Sequence, residues 1–195
     1  MQPLKIAVLG SGKGSNFRAI LNAAMAGQLK IQPVLAISDN HDAGLLSLAD
    51  NLGVATRVVT ETKFRTRLSE EVEERLVKDI HASGAEIIIL AGWMRLVKTQ
   101  MLEAFPRRII NIHPSLLPAF PGLEAWKQAL VAGVDQTGCT VHFVDGGTDT
   151  GEIIAQSEVP VLPGDTAETL HARIQEAEHR IYPEVISRFA RREIF

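Results

Sequence analysis

The sequence predicts an α/β protein with a doubly wound, mostly parallel β-sheet, an antiparallel C-terminal hairpin and a long final helix. Through the first 112 residues, short apolar runs typical of buried strands alternate with amphipathic stretches of helical period. Such alternation requires crossover connections, so it favours parallel strands covered by helices on both faces. The pattern then changes, because two strand-like segments joined by a Gly-rich turn indicate a hairpin.

Each predicted strand of the first half is a short, mainly apolar run. The five runs are Ile6–Leu9, Pro33–Ser38, Thr56–Val59, Glu86–Leu90 and Arg108–Ile112. Helices are predicted between them at Asn16–Ala26, Leu45–Leu52 and Thr66–Ala82. Ser15 is the expected N-cap of the first helix, and a glycine after each helix predicts its end.

The second half supplies two more strands and two more helices. The strands are Thr140–Val144 and Glu152–Glu158, and the helices are Leu123–Ala132 and Thr166–Phe189. Pro183 lies inside the last helix and lacks the N–H that a helix interior needs. We therefore expect this helix to be kinked or split.

Composition indicates an ordinary globular chain of one domain, residues 1–195, with 46% hydrophobic and 22% charged residues. The charge balance of 20 basic and 23 acidic residues gives −3, so neither nucleic acid nor an anionic membrane is an expected partner. The single cysteine, Cys139, excludes an intramolecular disulfide and is predicted to be a small buried residue. No apolar run reaches the ~20 residues of a membrane span and no signal peptide is evident, so a cytoplasmic location is predicted.

A glycine-rich loop, Gly10-Ser11-Gly12-Lys13-Gly14-Ser15-Asn16, connects the first strand to the first helix. Glycines let the backbone approach an anion, and a helix N-terminus offers free N–H groups. The loop therefore predicts a phosphate site. Two alternatives stay open, namely a dinucleotide site that uses Asp39 after the second strand and a plain tight turn.

Asn111 and His113 stand two residues apart at the end of the fifth strand, so their side chains share one face. The carboxyl ends of parallel strands are where open α/β sheets bind ligands. Prolines at positions 114, 118 and 121 stiffen the loop that follows. Because an amide can stabilise an oxyanion and an imidazole can transfer a proton, the pair predicts chemistry at a carbonyl group. The alternative is a capping asparagine and a structural histidine.

The turn Asp145-Gly146-Gly147-Thr148-Asp149-Thr150-Gly151 joins the two late strands. Its composition is also that of an ordinary hairpin turn, and its spacing is not that of an EF-hand. One of its carboxylates is expected to face His113 and to favour the charged form of the imidazole.

The segment Ala91-Gly92-Trp93-Met94-Arg95-Leu96-Val97 follows the fourth strand at the same edge of the sheet. Apolar side chains with one arginine suit a flat apolar ligand that carries a carboxylate. Packing against the core is an equal alternative. No histidine or carboxylate cluster has metal-ligand spacing, so no metal is expected.

These motifs, in this order, resemble the phosphoribosylglycinamide formyltransferases, a folate-dependent family of purine biosynthesis. The matching stretches are Gly-Lys-Gly-Ser-Asn, Leu-Ala-Gly-Trp-Met-Arg-Leu, Asn-Ile-His-Pro-Ser-Leu-Leu-Pro with Phe-Pro-Gly, the Asp-rich turn and Glu-His-x-Ile-Tyr-Pro. The resemblance runs from about Lys5 to Phe189 and implies a Rossmann-like formyltransferase fold. It also implies that 10-formyltetrahydrofolate, as co-substrate, gives its formyl group to glycinamide ribonucleotide without a metal.

The resemblance further implies roles for individual residues. The catalytic triad of the family matches Asn111, His113 and Asp149. Its ribonucleotide contacts match Gly14, Ser15, Asn16 and Glu178. Its folate contacts match Met94, Arg95, Leu96, Val97, Asn111, Asp145, Gly146, Gly147, Thr148 and Asp149. One more folate-binding arginine matches Arg65 or Arg67, because the spacing here departs from the family pattern, and we favour Arg67.

Other functions stay open from the sequence. Methionyl-tRNA formyltransferase and formyltetrahydrofolate deformylase share motifs with this chain, but each needs a further domain for which 195 residues leave no room. A nicotinamide oxidoreductase would use the glycine loop and Asp39, whereas a non-catalytic nucleotide-binding module would leave Asn111 and His113 unused. The resembled family has a cis bond at the matching Leu-Pro, so a cis peptide is expected at Leu117–Pro118.

Overall fold

A seven-stranded sheet with helices on both faces organises the computed structural model, which describes residues 2–61 and 63–194. The strands are β1 Leu4–Leu9, β2 Ile31–Ser38, β3 Ala55–Val58, β4 Ile87–Leu90, β5 Ile109–His113, β6 Gln136–Phe143 and β7 Ile153–Pro160. The helices are α1 Ser15–Met25, α2 Gly44–Asp50, α3 Glu70–Ser83, α4 Thr99–Ala104, α5 Ala125–Ala132 and α6 Ala167–Ala190. The strand order is β3-β2-β1-β4-β5-β6-β7.

The sheet is parallel from β3 to β5 and turns antiparallel at β6 and β7. This confirms the predicted fold class, including the late hairpin. Because β1 to β5 run parallel, their carboxyl ends meet at one edge, and the loops that carry the sequence motifs gather there.

Alternating side chains of the central strands pack into two separate cores. In β1, Ile6 and Val8 face a core shared with α1 and α6, whereas Ala7 and Leu9 face a core shared with α3 and α4. Strand β4 divides its isoleucines in the same way. A strand buried on both faces reads as a continuous apolar run, which is why these strands were evident from the sequence.

The third helix begins at Glu70, so the prediction that it begins at Thr66 is wrong. The backbone of Thr66 and Arg67 is engaged elsewhere, because Leu96 N donates to Thr66 O (2.8 Å) and Arg67 pairs with Leu96 as an isolated bridge. Ser69 becomes the N-cap. The predicted helix therefore began four residues too early, because the helical spacing of its charged residues does not mark where the helix starts.

Helix α4 was not predicted. Its N-cap, Lys98, supplies no side-chain cap, and the Lys98 N–H donates instead to the buried carboxylate of Glu73 on α3 (2.8 Å). Burial raises the pKa of this carboxyl. The start of α4 is thus set by a residue 25 positions earlier, and no local capping signal marks it.

Two expectations about helix ends and interruptions are also corrected. Gly14, in a left-handed conformation with φ 76°, is the N-cap of α1, so Ser15 is the first helical residue rather than the cap. Pro183 was expected to kink or split the last helix, and helix α6 runs unbroken through it, so the split is absent, whereas the kink stays a prediction. This helix packs along α1, β6 and β7, and that packing outweighs the one hydrogen bond that proline cannot donate.

Two smaller expectations are confirmed. Cys139 is fully buried in β6, and burial, with the nearby charge of Glu178, raises the pKa of its thiol to about 12. The peptide bond between Leu117 and Pro118 is cis. Within the described part of the chain, no helix is both long enough and apolar enough to cross a membrane.

We expect Gly138→Ala to destabilise the fold by about 1–3 kcal/mol, because an added Cβ would overpack the β6–β7 pairing. The Cβ would lie 2.0 Å from Ser157 O and 2.8 Å from the Leu116 side chain. Gly12→Ala is the control, since no described heavy atom lies within 4 Å of its added Cβ. Urea denaturation of both variants measures the effect, and equal midpoints would contradict this account of Gly138.

Candidate active site

Polar side chains from two adjacent antiparallel strands form the centre of the site. The register places Asn111 opposite His142 and His113 opposite Thr140, at the ends of β5 and β6. All four side chains lie on one face of the sheet, since each pair is directly opposite and the pairs are two residues apart. His113, Thr140 and His142 are buried, so their polar atoms need partners within the protein.

His142 is held as a neutral imidazole that orients Asn111. Its Nδ1 lies 2.8 Å from the carbonyl oxygen of Phe143, which only accepts, so Nδ1 carries the proton. Its Nε2 therefore accepts from Asn111 Nδ2 at 3.2 Å. Burial lowers the pKa of His142, in agreement with the neutral form. This hydrogen bond fixes which end of the Asn111 amide is the donor.

Asp149 joins the β6–β7 turn to the loop after β5. Its Oδ2 lies 3.2 Å from His113 Nδ1 and accepts from Gly122 N at 2.8 Å, while its Oδ1 lies 3.7 Å from His142 Nε2. The expected contact between a turn carboxylate and His113 is therefore present. Asp149 has φ 55°, an uncommon backbone conformation outside glycine that aims the carboxylate back at the strands.

His113 has an acceptor on each side of its ring. Nε2 lies 2.9 Å from Phe120 O, and Nδ1 faces the Asp149 carboxylate. Only the doubly protonated ring donates to both partners. The arrangement can therefore present an imidazolium next to a carboxylate, with the Asn111 amide on the same strand.

The hydroxyl of Thr140 holds the loop after His113 in place. Oγ1 donates to Ser115 O (2.7 Å) and accepts from Leu117 N (3.0 Å) and Gln156 Nε2 (2.9 Å). Gln156 Nε2 also reaches Leu117 O at 2.9 Å. Strands β6 and β7 thus fix the path of the loop that carries Phe120 and Gly122 to the site.

The predicted phosphate loop, residues 10–16, lies at the same edge of the sheet. A Cβ added at Gly14 would lie 3.0 Å from the Leu45 backbone, and the positive φ of this residue also favours glycine.

Asn16 Nδ2 donates to Glu178 Oε2 at 3.0 Å, which connects α1 to α6. Burial raises the pKa of Glu178 to about 7, and the Asn16 hydrogen bond opposes part of that rise. The buried Asn16 Oδ1 has no partner among the described residues.

The apolar loop, residues 91–97, exposes part of its hydrophobic surface, with Met94 59% and Leu96 37% exposed. Arg95 does not present its charge to solvent. Its Nε lies 2.7 Å from Asp39 Oδ2, with both side chains about one-tenth exposed, and its Nη1 donates to Phe64 O at 2.8 Å. Asp39 is thereby occupied by an arginine rather than left for a ribose.

Arg67 and Arg65 both lie on the exposed segment before α3. The Arg67 backbone pairs with Leu96 of the apolar loop, and its guanidinium stacks over the Phe64 ring, 3.9 Å from the ring centroid. Both arginines therefore lie beside the apolar loop, since Arg65 O also accepts from Arg95 Nη1 at 3.4 Å, but of the two it is Arg67 that forms the backbone bridge with Leu96.

The turn Asp145–Asp149 closes over its first carboxylate. Asp145 Oδ1 accepts from Gly147 N (3.0 Å) and from Thr150 Oγ1 (2.8 Å), so this carboxylate shapes the turn.

Residues 2–61 and 63–194 contain no group of three or more His, Cys, Asp and Glu side chains placed to hold a metal ion.

His142 is a residue of this site that the sequence does not single out. One signal was available. In the run from Cys139 to Phe143, polar and apolar residues alternate, with Thr140 and His142 on one face and three apolar residues in the α1/α6 core. The pairing with Asn111 required the β5–β6 register, which the sequence does not supply.

Comparisons with known proteins agree with this geometry. The family model described as formyl transferase matches residues 4–186. Phosphoribosylglycinamide formyltransferase of Escherichia coli is 39% identical over 96% of this chain and 87% of that protein. A solved glycinamide ribonucleotide transformylase 1 from Symbiobacterium toebii is 48% identical, with a TM-score of 0.91 over 97% of this chain and 88% of that chain.

A longer relative matches as well. The trifunctional purine biosynthetic protein adenosine-3 of Drosophila pseudoobscura is 43% identical over 97% of this chain, which spans only 14% of that protein. The resemblance first drawn from the glycine loop, the Asn-x-His segment and the Asp-rich turn is thus confirmed over nearly the whole sequence, and the chain belongs to the formyl transferase family.

Proposed function

We propose that this chain transfers a formyl group from 10-formyltetrahydrofolate to the amino group of glycinamide ribonucleotide in purine biosynthesis. The products are N-formylglycinamide ribonucleotide and tetrahydrofolate. The observation that carries the proposal is the contact of His113 with Asp149 beside Asn111, within a chain that matches the formyl transferase family. Residues 1–195 act as a single formyl-transfer domain in this proposal, and a cytoplasmic location stays a prediction.

Asn111 and His113 stabilise the charge that develops on the formyl oxygen. Attack by the substrate amine forms an N–C bond and shifts electrons onto this oxygen. Asn111 Nδ2 has a second hydrogen beyond the one given to His142, and His113 offers Nε2–H. The formyl oxygen competes with Phe120 O for that Nε2–H.

Asp149 orients His113, because its carboxylate faces Nδ1 at 3.2 Å. Completion of the transfer breaks the bond between the formyl carbon and the folate nitrogen. One proton leaves the attacking amine and one proton reaches the folate nitrogen, so protons balance without a covalent enzyme intermediate. The imidazole of His113 is the group placed to pass a proton between the two nitrogens.

The two substrates are assigned to two different groups of residues around this centre. The backbone of Gly14, Ser15 and Asn16 at the start of α1 offers N–H groups and a favourable dipole to the ribonucleotide phosphate. Glu178, bonded to Asn16, contacts the same substrate. The folate lies along the exposed apolar loop 94–97 and against the turn 145–149.

The folate carboxylate is assigned to Arg67 rather than to Arg95. Arg67 is exposed and stands beside Leu96, whereas the guanidinium of Arg95 is already paired with Asp39. Arg95 therefore serves the folate site through the loop that it stabilises.

Formyl transfer is tested directly by mixing the protein with glycinamide ribonucleotide and a 10-formyl folate analogue. We expect release of the deformylated folate only when both substrates are present. Nicotinamide cofactors, followed by fluorescence on titration, should not bind, because Asp39 is paired with Arg95. Folate release without the ribonucleotide, or no release at all, would contradict the proposed function.

His113→Ala and Asp149→Asn should each fold normally and slow turnover roughly 10²–10⁴-fold, as loss of an acid–base or oxyanion group commonly does. Circular dichroism verifies the fold and steady-state kinetics give kcat. His41→Ala is the control, since His41 is an exposed loop residue. Near-normal kcat in either site variant would remove that residue from the mechanism.

Glu178→Gln should remove a pH dependence of stability. Burial raises the pKa of the folded carboxyl from 4.5 to about 7, so the folded state binds more protons than the unfolded state between these values. The stabilisation is therefore complete below about pH 4.5 and lost as the pH rises through 7. Relative to the parent protein, the variant should gain on the order of 3 kcal/mol between pH 5 and pH 8.

Denaturant unfolding at several pH values measures this difference. Glu176→Gln, an exposed carboxyl on the same helix, is the matched control and should follow the parent curve. A Glu178→Gln curve that runs parallel to the parent curve would show that Glu178 does not titrate in this range.

A further inference from the structure

Ser11 uses all three of its polar groups to hold neighbouring loops. Its N–H donates to Gly92 O at 3.0 Å, and its Oγ accepts from Met94 N at 3.0 Å. Its carbonyl accepts from Asn40 Nδ2 at 3.2 Å, in the loop after β2. Although Ser11 lies in the phosphate loop, two of its three hydrogen bonds go to the apolar loop.

The backbones of these two loops also approach closely beside Ser11. An added Cβ at Gly10 would lie 2.6 Å from Ala91 O, so only glycine lets the strand-end backbones approach in this way. The phosphate loop and the apolar loop are therefore joined into one unit by hydrogen bonds within the protein.

The C-terminal end of the apolar loop, away from Ser11, is held by other contacts. Arg95 pairs with Asp39 and donates to Phe64 O, and Lys98 N donates to Glu73. Met94 lies between these anchors and Ser11, and its side chain is more than half exposed. Packing therefore contributes little at Met94, and its N–H bond to Ser11 Oγ fixes the near end of the loop.

We propose that Ser11 is a positioning residue for the folate site, although it lies in the loop assigned to the ribonucleotide phosphate. The proposal rests on the proposed function, which assigns residues 94–97 to the folate. Ser11 itself touches neither substrate. It sets the position of the Met94 backbone, and the phosphate contacts at Gly14, Ser15 and Asn16 do not depend on its hydroxyl.

This assignment makes an asymmetric prediction. Ser11→Ala removes the acceptor of Met94 N–H and leaves the backbone bonds of residue 11 in place. Loss of a single hydrogen bond of this kind changes an equilibrium by about 3- to 10-fold. We expect KM for the 10-formyl folate, and the dissociation constant of a non-transferable folate analogue, to rise by that factor. KM for the ribonucleotide should stay within about twofold of the parent value.

Two matched variants complete the test. Ser83→Ala removes a hydroxyl that likewise accepts a backbone N–H, that of Ala85 at 3.3 Å, at the end of α3, and it should leave both KM values unchanged. Asn16→Ala, in the same loop as Ser11, removes the amide that donates to Glu178, so it should raise the ribonucleotide KM and leave the folate KM unchanged. Ser11→Thr keeps the hydroxyl and should restore the folate KM.

The outcomes separate this inference from the proposed function. Absence of formyl transfer by the parent protein overturns both. An active parent protein in which Ser11→Ala raises the ribonucleotide KM, raises both KM values equally or changes neither overturns the role of Ser11 alone. If Ser11→Ala does not fold, Ser11→Cys gives the same comparison, because a thiol of similar size accepts a hydrogen bond only weakly.

Discussion

The carboxylate of Asp149 is the contact on which the geometry of the site depends. It bonds Gly122 N, faces His113 and lies near His142, so a single side chain joins the loop after β5 to the turn after β6. Both connections are irregular, and neither has a ladder of backbone hydrogen bonds to fix it. The regular strands place Asn111 and His113 in register, whereas the orientation of the His113 ring depends on this carboxylate and on Phe120 O.

Local patterns in the sequence predicted much of this arrangement. The glycine loop, the Asn-x-His strand end and the Asp-rich turn each contain the information for their own conformation, and parallel strands bring their ends to one edge without further information. His142 and α4 could not be recognised in the same way. His142 acquires its role through the β5–β6 register, and α4 begins after Lys98, whose N–H donates to a buried glutamate of another helix.

Arg95 shows how a motif residue can act through the protein rather than through a ligand. One arginine among apolar residues suits a ligand that carries a carboxylate, and core packing was an equal alternative. The structure instead pairs it with Asp39 and with backbone carbonyls of the segment that carries Arg67. Two partly buried charges satisfy each other, so the ion pair fixes the distance between two loops. The charge balance of such a loop depends on residues far away in sequence, which a local pattern cannot reveal.

Cys139 gives this chain an internal reporter of sheet opening. It is the single cysteine, fully buried in β6 between the hairpin partner and the strand that carries Asn111, and its thiol has a pKa of about 12. Thiolate is the reactive form, so an alkylating reagent modifies Cys139 only when β6 leaves the sheet. The labelling rate under native conditions therefore measures the opening equilibrium of the strand that bears Thr140 and His142, in the manner of hydrogen exchange at a single position.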